Sequence, residues 1–111
     1  MDVKETEKEQ KEEPGKKYDG GKARFDLLPP DALFELVKVF TRGAEKYDDR
    51  NWEKGMTWGR VFGAIQRHLW KFWRGETHDQ DLGTHHLANA AWGCMVLMAY
   101  SMRMIGKDDR G

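Results

Sequence analysis

Apolar positions are sparse at the start of this chain and then return in three helical rhythms. Residues 1–17 are almost all Glu, Lys, Gln and Asp, with Pro14 and Gly15 near their end. Such a stretch has little to bury, so a disordered tail is expected. From Pro30 to Tyr47 the apolar residues Leu33, Leu36, Val37, Phe40, Ala44 and Tyr47 recur at three- and four-residue steps, which predicts a helix. Proline at the first turn beside Asp31 suits its start. Glu35, Lys38, Arg42 and Glu45 fall opposite and read as a solvated face.

A second helix is expected from Trp58 to Arg74, with Thr57 as its cap. Its stripe is Trp58, Val61, Phe62, Ile65, Leu69, Phe72 and Trp73, with Arg60, Arg67, Lys71 and Arg74 on the far side. His68 falls at the margin of the stripe. A third helix, from Thr84 to Met104, is apolar nearly all round, which places it centrally or in an oligomer interface. Ala88, Ala90, Ala91 and Gly93 would let another helix come close.

The connections carry their own signals. Tyr18 to Pro30 reads as an extended lead-in that packs Phe25, Leu27 and Leu28 on the domain and holds Lys22 and Arg24 nearby. Asp48 to Thr57 is a polar loop containing Trp52. That indole either plugs a core edge or lies, with Tyr47, against a flat ligand such as a nucleobase, with Asn51 supplying hydrogen bonds. Gly106 to Gly111 is expected to fray. The expected fold is an all-α, three-helix domain over residues 18–105, flanked by tails at 1–17 and 106–111.

Composition narrows the function classes. Nineteen basic residues balance nineteen acidic ones, so no global field draws the chain to nucleic acid or membrane. No apolar run reaches the roughly 20 residues of a membrane span. The single cysteine, Cys94, allows no internal disulfide, fits a reducing compartment and reads as a core residue. The charged N-terminus lacks a signal-peptide apolar region, so a cytoplasmic location is expected. Five tryptophans, five phenylalanines and six methionines are much apolar bulk for so small a chain, and suggest burial between subunits.

Candidate chemistry concentrates in Arg67 to Asn89, which holds all four histidines together with Glu76, Asp79 and Asp81. Imidazoles and carboxylates gathered between two helices suit a divalent metal. If the second helix ran through Gly75, Glu76 would sit in its apolar stripe; if Gly75 ends it, Glu76 opens the loop. His86 and Asn89, three apart, share a face of the third helix. They serve either as capping and core hydrogen-bonding residues or as ligands. Walker, Gly-x-Gly-x-x-Gly, Cys-x-x-Cys and serine-nucleophile patterns do not occur.

Taken in order, Lys22 to Pro30, Gly43 to Tyr47, Asn51 to Gly55, Arg67-His68-Leu69, Gly75-Glu76-x-x-Asp79 and His86-Leu87-Ala88 resemble the small phage-type dATP/dGTP diphosphohydrolase domain. That domain is associated with MazG-like, all-α nucleoside triphosphate pyrophosphohydrolases. The resemblance covers roughly residues 18 to 100. It implies a helical dimer or tetramer that hydrolyses purine deoxynucleoside triphosphates to monophosphate and pyrophosphate with Mg2+ or Mn2+. Lys46, Asn51 and Arg67 match the family's motif positions and are expected, with Trp52, to contact substrate; a metal set of His68, Glu76, Asp79 and His86, with Glu76 and Asp79 catalytic, is expected on this sequence. The better-known MazG pattern, Glu-Glu-x-x-Glu followed by Glu-x-x-Asp, differs here. The second helix has no acidic residue before Glu76, and the third offers His86 and Asn89. The expected mixed nitrogen–oxygen shell suits manganese or zinc at least as well as magnesium. Two other readings use the same residues. His78-Asp79, with His68 upstream, is the dipeptide of HD-type phosphohydrolases. A non-catalytic helical oligomer, such as a phage accessory or scaffold module, would leave the histidines scattered or individually satisfied.

Overall fold

The computed structural model describes residues 14–111, so the tail expected over residues 1–17 falls mostly outside the described residues. Three helices make the fold: α1 (Pro30–Lys46), α2 (Trp58–Trp73) and α3 (His86–Arg103). Short 3-10 turns occupy Phe25–Leu27 and Asn51–Lys54. The described residues contain no strand, only isolated bridges between Thr57 and Lys107 and between His78 and His85. The architecture is all-α. No helix among the described residues is long and apolar enough to cross a membrane.

The chain packs about α3, which meets both α2 and α1. The core lies mainly between α2 and α3, where Val61 and Ile65 face Ala90, Val96 and Tyr100. Burying a Val or Ile fully is worth about 1.5–3 kcal/mol, so this short list carries much of the stability. Gly93 sets the approach of the two helices, because a Cβ there would overlap the Ile65 side chain. α1 joins through rings: Phe40 lies 6.2 Å from Trp92 and 6.4 Å from Trp52, centroid to centroid. The Tyr100 hydroxyl donates to the Trp52 carbonyl, fixing the loop before α2 onto α3. Trp52 is therefore half-buried at the core edge.

Several expectations change. The lead-in does not pack on the domain: Phe25 and Leu27 are exposed, and Arg24 pairs with Asp26 at 2.7 Å. The C-terminal tail does not fray. The Trp58 amide donates to the Lys107 carbonyl at 2.9 Å, the Trp58 indole to the Ile105 carbonyl at 2.8 Å, and the Arg110 guanidinium covers the Trp58 ring. Thr57 occupies the N-cap position of α2 but makes no side-chain cap. Asp109 supplies the acceptor instead, taking the Gly59 N–H at 2.8 Å. A tail that satisfies an open helix end has a reason to stay. Cys94 is exposed rather than core. It shares the outer stripe of α3 with Leu87, Ala91, Met95, Met98 and Met102, whose helical spacing turns them away from α1 and α2. Phe62, Leu69 and Trp73 of α2 are likewise exposed.

Candidate metal centre and adjoining cavities

α2 ends in a way that aims the next loop back at the bundle. The Gly75 N–H bonds the Phe72 carbonyl and the Glu76 N–H bonds the Lys71 carbonyl, with Gly75 at φ 106°. This is a glycine-terminated helix end, whose positive φ would strain another residue type although space is open around it. Glu76 thus opens the loop. Asp79 then folds it: Oδ1 accepts the N–H groups of Asp81 and Leu82, each at 2.9 Å. Its backbone N–H bonds the Thr84 carbonyl, and the His86 N–H bonds the Thr77 carbonyl. α3 starts after His85, whose Nδ1 accepts the Leu87 N–H at 3.0 Å. The third helix therefore begins two residues later than its apolar pattern suggested.

With one oxygen of Asp79 used by the loop, the other faces the bundle, 3.9 Å from Nδ1 of His68 on α2. His68 Nδ1 lies 2.9 Å from Nδ1 of His86 at the start of α3. His86 is fully buried, Asp79 nearly so, and His68 partly. Donor atoms of the three residues all lie within 4.8 Å of one another. Glu76 stands on the other side of the His86 ring, its Oε2 3.4 Å from Nε2. That approach is off the N–H direction, and buried Nε2 has no hydrogen-bond partner. His78 is exposed, stacked edge-on against His85, and stands outside this cluster, so the His-Asp dipeptide does not act as a pair.

The electrostatics agree with the geometry. Burial lowers the pKa of His68, and the neighbouring His86, Lys71 and Arg67 lower it further against the pull of Asp79. Its imidazole is held in the neutral, ligating form. The Leu82 N–H holds Asp79 below the ordinary carboxylate range against desolvation, with help from Asp81, Lys71 and His68. Two imidazoles and a carboxylate are a donor set that fits a divalent ion. A fully buried ring nitrogen without a partner is costly otherwise.

One cavity adjoins this corner, and a second shares part of its wall. The first, of about 510 Å³, is lined by His68, Thr84 and Asn89 together with Arg42 and Lys46 of α1. The other, of about 740 Å³, is lined by Phe40, Tyr47, Asn51, Trp52 and Trp92. They share Gly43, Tyr47 and Trp92. Of the residues singled out in the sequence, the structure brings His68, Asp79 and His86 together, with Glu76 beside them. Lys46 sits at the first cavity, and Asn51 and Trp52 at the second. Arg67 is exposed on α2, and its charge reaches His68. Lys71, placed by the helical pattern on the far side of α2, is half-buried and acts on both His68 and Asp79. Its position one turn beyond His68 was the available signal. It also borders an open pocket with Arg74, Glu76 and Gln80.

The geometry defines a helical domain with a buried imidazole–carboxylate corner beside an aromatic cleft. Residues 12–110 match the family model described as dATP/dGTP diphosphohydrolase, N-terminal, and the chain belongs to that family. A dATP/dGTP diphosphohydrolase of Salmonella phage PMBT28 is 34% identical over 96 residues, covering 86% of this chain and 33% of the relative. The chain thus spans a third of the length of the relative it matches. No solved structure matches it.

Proposed function

We propose that this chain binds purine deoxynucleoside triphosphates and, with Mg2+ or Mn2+, hydrolyses them to monophosphate and pyrophosphate. The observation that carries the reading is the buried corner of His68, Asp79 and His86, whose donor atoms lie within 4.8 Å of one another. A divalent ion held there would neutralise phosphate oxygens and make a water a better nucleophile toward phosphorus. His68 and His86 contribute ring nitrogens, and Asp79 the oxygen not used by its loop. Glu76 lies on the Nε2 side of His86 and is the carboxylate placed to orient that ring. Lys46, Arg67 and Lys71 meet the remaining phosphate charge. Trp52 and Tyr47 supply flat faces for the base, and Asn51 its hydrogen bonds.

The match to an N-terminal family model, and to a third of a longer relative, favours a second reading. In it this chain binds metal and nucleotide while catalysis needs the remainder of a larger protein. The uncharged outer stripe of α3, from Leu87 to Met102, supports assembly with another copy.

Product analysis separates these readings. The purified chain is incubated with each deoxynucleoside triphosphate and Mg2+ or Mn2+. Monophosphate plus pyrophosphate from dATP or dGTP, lost on chelation and in Glu76→Gln and Asp79→Asn, supports the hydrolase. Saturable nucleotide binding without turnover supports the binding module. Inorganic triphosphate with free nucleoside would favour HD-type chemistry. Neither binding nor turnover leaves a helical oligomer whose polar corner is structural.

A further inference from the structure

We propose that Asn89 holds a phosphate oxygen of the bound nucleotide through its side-chain N–H group, with Thr84 locking the amide in that orientation. The inference rests on the nucleotide reading above and gives Asn89, which the sequence left open between a core role and a ligand role, a specific contact. Asn89 lies one turn after His86 on the same face of α3. It is 6% exposed and Thr84 is 5% exposed. The Thr84 hydroxyl donates to Asn89 Oδ1 at 2.8 Å, so the amide oxygen is already engaged. The nitrogen, Nδ2, is buried without a partner.

Buried amide groups are nearly always paired, and an orphaned donor calls for an explanation. Among the described residues only His86 Nε2 shares this condition; the Tyr100 hydroxyl has the Trp52 carbonyl, and Asp79 Oδ1 has two backbone N–H groups. Asn89 instead borders the 510 Å³ cavity with His68, Arg42 and Lys46. Two cations against one carboxylate, Glu45, together with a metal-type corner around one cavity favour an anion. An unpaired donor on a residue of that wall selects an acceptor atom on the anion. A phosphate oxygen satisfies both. A neutral amide does this without burying another charge, and a hydrogen bond to a charged oxygen is among the stronger ones.

The test is Asn89→Asp, which preserves the acceptor for Thr84 and replaces the N–H group with oxygen. Isothermal titration measures inorganic pyrophosphate with Mn2+ present, Mn2+ alone, and deoxyguanosine, on the purified full chain. Pyrophosphate affinity should fall roughly 10- to 100-fold, the worth of a hydrogen bond to a charged group. Mn2+ affinity should be unchanged or tighter, and deoxyguanosine binding unchanged. Asn89→Ala, expected to lose pyrophosphate affinity in the same direction, carries the test if Asn89→Asp does not fold. Wild-type pyrophosphate affinity in these variants overturns the proposal; it would mean that an oxygen already faces the cavity or that the group is idle. A matching loss of deoxyguanosine affinity also overturns it, by moving the contact to the base. If the unmodified chain binds neither dGTP nor pyrophosphate, the nucleotide reading itself fails and takes this contact with it.

Discussion

The two ends of the α2–α3 pair treat buried polar groups in opposite ways. At the end formed by the start of α2 and the finish of α3, every polar contact closes on itself. The Trp58 indole has the Ile105 carbonyl, Gly59 has Asp109, and Tyr100 has Trp52. At the other end, His68, Asp79, His86 and Asn89 are buried or partly buried together, and two nitrogens, His86 Nε2 and Asn89 Nδ2, have no partner. Both ends carry backbone hydrogen bonds from non-helical segments, the C-terminal tail at one and the α2–α3 loop at the other. The difference is therefore not one of order but of what the polar groups are for. One end uses them to hold the helices. The other leaves two nitrogens unpaired, which on the reading proposed above a bound ion and phosphate would use.

The largest expected effect breaks the comparison at its functional end. Asp79→Asn should reduce turnover by more than about a thousandfold, since it weakens both a metal ligand and the charge that attracts the ion. The melting temperature of the metal-free variant should stay within a few degrees, because an amide oxygen can still accept the loop N–H groups. Turnover retained with Asn at this position would remove Asp79 from the site. At the structural end, Tyr100→Phe deletes a donor and leaves the Trp52 carbonyl with the Gly55 N–H alone. A loss of about 0.5–1.5 kcal/mol in chemical denaturation is expected, with Mn2+ affinity unchanged. Asp109→Ala removes the acceptor at the start of α2 and should cost about 0.5–2 kcal/mol by the same measurement, the usual worth of a helix cap.

The smallest effect is in pH. Burial, with help from His86, holds His68 below its ordinary value of 6.5. The unfolded chain therefore takes up a proton first. The contribution of His68 to stability is complete above pH 6.5 and is lost as pH falls through its folded value. Asp79, held below 3.8 chiefly by the Leu82 N–H, adds a second loss at lower pH with the same sign. Urea midpoints of the metal-free protein should fall on moving from about pH 7 to about pH 5, and less so in His68→Gln. An equal fall in both would show that other groups set the acid sensitivity.

Much of this fold could be read from periodicity. The spans of α1 and α2 agree with the apolar patterns to within a residue, and Gly75 ends α2 as its type suggests. Gly93 marks the close approach of two helices because small residues on an apolar helix have that use. What periodicity cannot convey is which covered face is covered by this chain. Phe62, Leu69, Trp73 and Cys94 lie on apolar stripes yet point outward, since a stripe records a preference for burial and not the partner. Nor could the pattern show that Asp109 would cap α2 across fifty positions, or that Phe25 and Leu27 would be left uncovered. In the site, the residue types of His68, Asp79 and His86 were conspicuous from the start. The pairing of Thr84 with Asn89 was not, because a hydroxyl and an amide five residues apart acquire meaning only when both are buried.

Direct titration of the purified chain with Mn2+, against His86→Ala, tests the central claim that the polar end is a metal site. Saturable binding of one ion per chain, abolished by the substitution while the helical circular dichroism is kept, is the expected result. Absence of binding to the unmodified chain, or binding that survives loss of the His86 ring, would contradict it and return the polar end to structure.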